Sequence, residues 1–155
     1  MTVPASPAAD PATLYLDLLK RVLTGTLFRV EPDADAPGQM AFVRDFISHY
    51  IEGEAVSMLP LARFHNLEAC IRTVLTENIP GDFIETGVWR GGACIFMRAA
   101  LEVLGDHRRA VWVADSFQGL PTPDAEKFPA EARAHAGAVM AAKYKHFAVD
   151  RAHVE

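Results

Sequence analysis

Asp82-Phe83-Ile84-Glu85-Thr86-Gly87-Val88-Trp89-Arg90-Gly91-Gly92 decides the fold: a short apolar strand delivers an acidic residue and then a glycine-dense loop. Residues 93–104 read as a helix, with Cys94, Met97, Leu101 and Leu104 along its apolar face. Ala110-Val111-Trp112-Val113-Ala114 is a continuous apolar run, suited to a parallel strand buried on both faces, and it stops at Asp115. Strand, glycine turn, helix and strand make one βαβ unit, so the fold class is α/β, with a partial Rossmann-like parallel sheet. Ligands of such sheets lie beyond the carboxyl ends of the strands, where the glycines and both acids fall.

The residue types suggest which ligand. Gly87, Gly91 and Gly92 let the backbone turn through positive φ and approach a bound molecule without a Cβ in the way. The helix that starts there directs unpaired N–H groups and a positive dipole end at the same place. A carboxylate at the end of the second strand, Asp115, can accept two hydrogen bonds from the vicinal hydroxyls of a ribose. Glu85 beside the loop would repel a pyrophosphate and attract a cation. S-adenosylmethionine, with its ammonium and sulfonium, suits that rim better than NAD. The glycine spacing also departs from G-x-G-x-x-G, because Val88, Trp89 and Arg90 separate Gly87 from the next glycine. The competing reading is a loop whose glycines merely permit a tight turn, with Asp115 as its cap.

Two runs carry a family resemblance: Glu85-Thr86-Gly87-Val88-Trp89-Arg90-Gly91-Gly92-Ala93-Cys94-Ile95-Phe96-Met97-Arg98 and Val111-Trp112-Val113-Ala114-Asp115-Ser116-Phe117-Gln118-Gly119-Leu120-Pro121. With Tyr15 to Arg21, Arg63, Asn66-Leu67 and Ile79-Pro80-Gly81-Asp82 upstream, the chain resembles the macrocin and mycinamicin type of sugar O-methyltransferase. The resemblance implies a class I, S-adenosylmethionine-dependent enzyme that methylates a sugar hydroxyl of a macrolide-like natural product with the help of Mg2+. It places Glu85, Thr86, Gly87, Val88, Arg90, Gly91 and Gly92 at the methionine end of the cofactor, and Asp115, Ser116 and Phe117 at its ribose and adenine side. It also puts Met58 near the cofactor, although Leu59-Pro60 stands where relatives tend toward Ile-Gly; by residue type alone, Met58 is equally a gap-filling core methionine. The metal-binding aspartates and general base of such enzymes lie further along than Glu155, so no catalytic residue and no metal ligand is assigned in this chain.

Outside the loop the expected organisation is a disordered tail over 1–12, a helical lid region over 13–78, and the first part of a Rossmann-like domain over 79–155. Helices are expected over 14–28, capped by Thr13 with Leu14, Leu18, Leu19, Val22 and Leu23 on one side, over 39–52, and over 66–78 with Leu67, Cys70, Ile71, Val74 and Leu75 on its stripe. Residues 58–63 read as the hinge of the lid, and 31–38 as a loop. No convincing strand follows Asp115, and the chain ends in what reads as a helix start capped by Asp150. Two strands do not make a sheet with a buried centre, so the sequence reads as the front part of a longer enzyme.

Composition narrows the partners. A length of 155 residues, half of them apolar (50%), is enough for one domain and its core. A net charge of −5 with no Lys or Arg stripe argues against nucleic acid or an anionic membrane surface. Nothing resembles a signal peptide or a membrane span, so a cytoplasmic location is the expectation. The two cysteines, Cys70 and Cys94, have no ligand-spaced neighbour and read as small buried hydrophobes. The six histidines show no zinc-type pairing. The expected partner is a small molecule, a glycosylated natural product, with homo-oligomerisation left open. Two other classes remain: the front half of an NAD-dependent oxidoreductase, and a non-catalytic interaction module.

Overall fold

The computed structural model describes residues 10–27, 55–137, 144 and 146–154; the helix expected over 39–52 and the loop over 31–38 lie outside them. Among the described residues the order is α1 (Pro11–Leu23), α2 (Leu61–Thr76), β1 (Phe83–Thr86), α3 (Gly92–Val103), β2 (Val111–Ala114) and α4 (Pro129–His135), followed by a 3-10 turn at Arg151–His153. β1 and β2 pair in parallel, Phe83 opposite Val111 and Thr86 opposite Ala114, with α3 as the crossover. The α/β class and the parallel βαβ unit are therefore as the sequence indicates.

α3 is the centre of the molecule. Seven of its residues are buried, among them Cys94, Phe96, Met97, Ala100 and Leu101, because small and large apolar residues alternate around most of its circumference. α1 and α2 both pack against it. Leu16 and Leu23 of α1, Phe64 and Ile71 of α2, and Val88 from the loop complete the same core. Phe64 and Phe96 meet edge to face at 5.2 Å and 76°.

Several helix details differ from the sequence expectation. α1 starts at Pro11, inside the stretch expected to be tail, since the fixed φ of proline suits the first helical position; Thr13 is no cap, but donates to the Asp10 carboxylate at 3.4 Å. Its buried face is Leu16, Lys20 and Leu23, while Leu14, Leu18 and Val22 are exposed. A lysine inside the stripe hides this face from hydrophobicity counting. Lys20 is 1% exposed, and its Nζ donates to Asp17 at 2.8 Å, pairs with Glu68 of α2 and lies 3.1 Å from His65 Nδ1. Burial pulls the Lys20 pKa down, but the hydrogen bonds to Asp17 and Glu68 outweigh it and leave the pKa raised. α2 starts at Leu61, not 66, so the expected hinge over 58–63 is partly its first turn and the stripe rotates onto Phe64 and Ile71. Cys70 consequently faces solvent, contrary to expectation, whereas Cys94 is buried as expected.

β2 is not buried on both faces: Trp112 is 59% and Val113 46% exposed. Among the described residues β1 is its only ladder partner. The register is pinned at the start of the strands. Asp82 accepts Ala110 N–H at 3.0 Å and Trp112 Nε1–H at 2.9 Å, and Arg109, held by Asp106, donates to Gly81 O at 2.6 Å.

Candidate functional site

The ends of β1 and β2 open into a cavity of about 540 Å3, the size of a small-molecule site. Gly87 and Trp89 come from the loop after β1; Ala114, Asp115, Ser116, Gly119 and Leu120 come from the end of β2 and the loop after it; Met58 and Phe147 close it from elsewhere in the chain. Gly87 sits at φ 82 with nothing within 4 Å of where a Cβ would stand, so the bend faces open space. A glycine at this point serves the conformation and leaves room for a ligand.

Asp115 ties the two loops together. Its Oδ2 accepts Val88 N–H at 2.6 Å and Trp89 N–H at 3.4 Å, and its Oδ1 accepts Phe117 N–H at 2.8 Å. The Phe117 amide foremost, then those of Val88 and Trp89, hold its carboxyl below the usual carboxylate range against a desolvation penalty. Asp115 thus caps the turn and also lines the cavity. Trp89 and Phe117 carry left-handed backbones, φ 51 and φ 56, which bulky residues adopt only when the surroundings impose it. Their amides point at the carboxylate from those conformations.

Glu85 is placed differently from the expected common rim. It lines a second hollow, also about 540 Å3, between α2, β1 and α3, together with Thr86, Arg63, Asn66 and Met97. Its Oε2 accepts the Cys94 amide at 3.2 Å and the Cys94 thiol at 3.0 Å. A strand carboxylate therefore caps the first turn of α3, where the helix dipole favours negative charge. Burial pushes the Glu85 carboxyl up, the Cys94 donors oppose this, and the charge of Asp115 adds to the rise. The Cys94 thiol is pushed up to about 12, by burial first and by Glu85 second.

The remaining expected residues divide by role. Met58, Gly87 and Ser116 line the cavity with Asp115, and Thr86 lines the hollow with Glu85. Val88 is 3% exposed and belongs to the core. Arg90 reaches away, donating to Ala55 O at 2.9 Å with its guanidinium 4.5 Å from the Trp89 ring centre. Gly91 is the N-cap of α3, and Gly92 N–H donates to Val56 O at 3.2 Å. A Cβ on Gly92 would stand 2.5 Å from Ser57 Cβ, so chain packing alone already calls for a glycine here. Phe117 donates its amide to Asp115 and is not among the residues that line the cavity. The sequence reading missed Trp89, Ala114, Gly119, Leu120 and Phe147 as lining residues. All but Phe147 lie in the two signature runs, whereas nothing local marks Phe147.

For a metal, the described residues offer one close group, Asp17, His65 and Glu68, whose ligand atoms lie within 4.8 Å of one another. Lys20 Nζ is bonded to all three, so an ammonium already stands where a cation would bind. These residues do not fit a magnesium site. Among the described residues no helix is long and apolar enough to cross a membrane.

Residues 51–155 match the family model described as macrocin-O-methyltransferase (TylF). The chain is 47% identical over 127 residues to the 8-demethyl-8-(2,3-dimethoxy-alpha-L-rhamnosyl)-tetracenomycin-C 4'-O-methyltransferase of Streptomyces olivaceus, covering 76% of this chain and 46% of that protein. It is 42% identical over 130 residues to the mycinamicin III 3''-O-methyltransferase of Micromonospora griseorubida, covering 79% of this chain and 50% of that protein. The solved structure of the O-methyltransferase NovP superposes with a TM-score of 0.66 at 34% identity, over 92% of this chain and 56% of that one. The chain spans about half the length of the curated relatives it matches.

Proposed function

This chain belongs to the macrocin O-methyltransferase family, and from that premise we propose that it carries the S-adenosylmethionine-binding part of an enzyme that methylates a sugar hydroxyl of a glycosylated natural product. The observation that carries the reading is the cavity at the strand ends, which joins a carboxylate and a hydroxyl, Asp115 and Ser116, to the apolar side chains of Met58, Leu120 and Phe147. An adenosyl group has that mixed character, hydroxyls on its ribose and a flat apolar base. Oδ1 of Asp115 accepts Phe117 N–H and, as a carboxylate oxygen with two acceptor sites, keeps capacity for a ribose hydroxyl. Glu85 and Thr86 line the neighbouring hollow, where negative charge suits the cationic methionyl end. When bound, the cofactor supplies a methyl group on a sulfonium that leaves as a neutral thioether.

The protein's own part here is to orient and to exclude water. In this reading α1, α2 and the path of 55–58 belong to the cover and the βαβ unit opens the nucleotide-binding domain, in a cytoplasmic enzyme. The path of 55–58 supports this division. Val56 and Ser57 donate to Leu23 O at 2.9 and 3.0 Å, Val56 O receives Gly92 N–H, and Met58 then lines the cavity. The Asp17, His65 and Glu68 group does not fit Mg2+, and no step is routed through a metal.

Calorimetric titration of the 155-residue chain tests the reading. S-adenosylhomocysteine is expected to bind and NADH is not. Binding of NADH with no heat from S-adenosylhomocysteine would overturn it in favour of an oxidoreductase front half.

A further inference from the structure

Residues 146–154 pass back over both strand-end loops at three points. The Trp89 indole Nε1–H donates to the His146 carbonyl oxygen at 3.2 Å, and the two rings meet edge to face at 5.2 Å. A Cβ on Gly119 would stand 2.9 Å from Ala148 N, and one on Gly91 would stand 3.2 Å from Val154 Cγ1, so glycines occur where this segment runs closest. Between the first two contacts Phe147 lines the cavity, together with Trp89 and Leu120.

Trp89 is built to hold that segment. It is 7% exposed, its backbone is left-handed, its amide is directed at Asp115, and the Arg90 guanidinium lies over its ring. An unfavourable backbone angle at a bulky residue persists only when several contacts over-determine it. Here the contacts aim the indole N–H out of the glycine loop and at the chain that brings Phe147.

We propose that Trp89 is a positioning residue: it latches residues 146–154 across the cavity, so that Phe147 forms the wall against which the flat base of an adenosyl ligand stacks. The proposal rests on the S-adenosylmethionine reading for the identity of the ligand, whereas the latch itself does not. Chemistry favours the base at this wall. Asp115 and Ser116 supply the polar groups suited to a ribose, and Phe147 and Leu120 offer aromatic and aliphatic surface suited to a planar heteroaromatic ring.

The test uses the 155-residue chain, its Trp89→Phe variant, which keeps an aromatic ring and removes the N–H, Phe147→Ala, and the double variant. In the absence of ligand, tryptic cleavage after Arg151 is expected to run about three- to tenfold faster in Trp89→Phe, the range for one lost hydrogen bond when local opening limits cleavage. S-adenosylhomocysteine affinity is expected to fall by a similar factor in Trp89→Phe and about tenfold in Phe147→Ala. The double variant is expected to bind no more weakly than Phe147→Ala alone, because both changes act through one wall. A merely structural tryptophan would give additive losses. Unchanged cleavage in Trp89→Phe overturns the latch. Faster cleavage with unchanged affinity, or additive losses, overturns the wall. If the unaltered chain binds no S-adenosylhomocysteine, the functional reading and the wall fall together, and the cleavage rates still decide the latch.

Discussion

Asp115 accepts the Val88 amide at 2.6 Å, so the end of β2 holds in place the bend that leaves β1. The same carboxylate takes the amides of Trp89 and Phe117. Asp115→Asn keeps the shape but offers one neutral acceptor oxygen, and it should cost about 2 kcal/mol, the worth of a hydrogen bond to a charged group, in urea unfolding at pH 7. The carboxyl is held below its usual range by these amides, so its contribution is present above about pH 4 and lost as pH falls through the lowered value. The variant should lack that acid-side loss; an unchanged pH profile would count against this role for Asp115.

Lys20 and Glu68 join α1 to α2 through a pair with little solvent around it, their side chains 2% and 12% exposed. Glu68→Leu leaves the ammonium with Asp17 and should destabilise by about 3 kcal/mol, while Lys20→Met with Glu68→Leu should recover most of the loss, as replacing a whole buried pair with apolar side chains often does. Both acids have lowered pKa values and Lys20 a raised one. The pair therefore stabilises from above about pH 4 to about pH 10, weakening on the acid side as Glu68 and Asp17 protonate and on the alkaline side as pH rises through the raised Lys20 value. Denaturant midpoints from pH 3 to 11 would show a plateau with both shoulders, and the double variant should flatten both.

Gly87 and Gly92 differ in what a methyl group would meet. At Gly92 it would press on Ser57 Cβ at 2.5 Å and Val56 O at 2.7 Å. Gly92→Ala should cost about 1–3 kcal/mol of stability as overpacking, read by thermal unfolding. At Gly87 nothing stands within 4 Å, but φ is +82, so Gly87→Ala should lose only about 1 kcal/mol from backbone strain. Its larger effect should be on S-adenosylhomocysteine affinity, because this Cα lines the cavity. Equal affinities for Gly87→Ala and the unaltered chain would remove Gly87 from the site.

Cys94 and Cys70 should separate cleanly in thiol labelling. Cys70 is exposed, whereas Cys94 is buried against Glu85 with its thiol pushed up to about 12. At pH 8 about one Cys94 in ten thousand is then a thiolate. Brief treatment with iodoacetamide should add one group per folded chain, mapped by mass spectrometry to Cys70, and a second only in denaturant.

The βαβ unit was legible because its signal is local. Apolar runs fix β1 and β2, the glycines fix the turn, and α3 lies within one residue of its expected bounds. The helices around it were harder to read. The buried stripe of α1 contains Lys20, whose partner Glu68 lies in another helix, and no periodicity reveals that pairing. Counting apolar residues therefore chose Leu14, Leu18 and Val22, which face outward. In α2 the true start at Leu61 moved the stripe and exposed Cys70. At the site, Asp115, Ser116 and Gly87, singled out by residue type, do line the cavity, but residue type could not tell that Gly92 answers to Ser57 or that Glu85 answers to Cys94. Phe147 needed the chain to return from far downstream, which no single stretch announces.

Because β1 and β2 run side by side in the same direction, no hairpin can zip them together; the chain must climb back the whole length of the strand through α3 before Phe83 can meet Val111. α3, in turn, finds its seat only against Phe64, Ile71 and Leu16. Order in the hydrocarbon interior is thus a precondition for the ladder, and the ladder for the mouth between Gly87 and Asp115. Trimming Phe96, which no solvent reaches, would thereby loosen that mouth from beneath, without removing any atom that lines it.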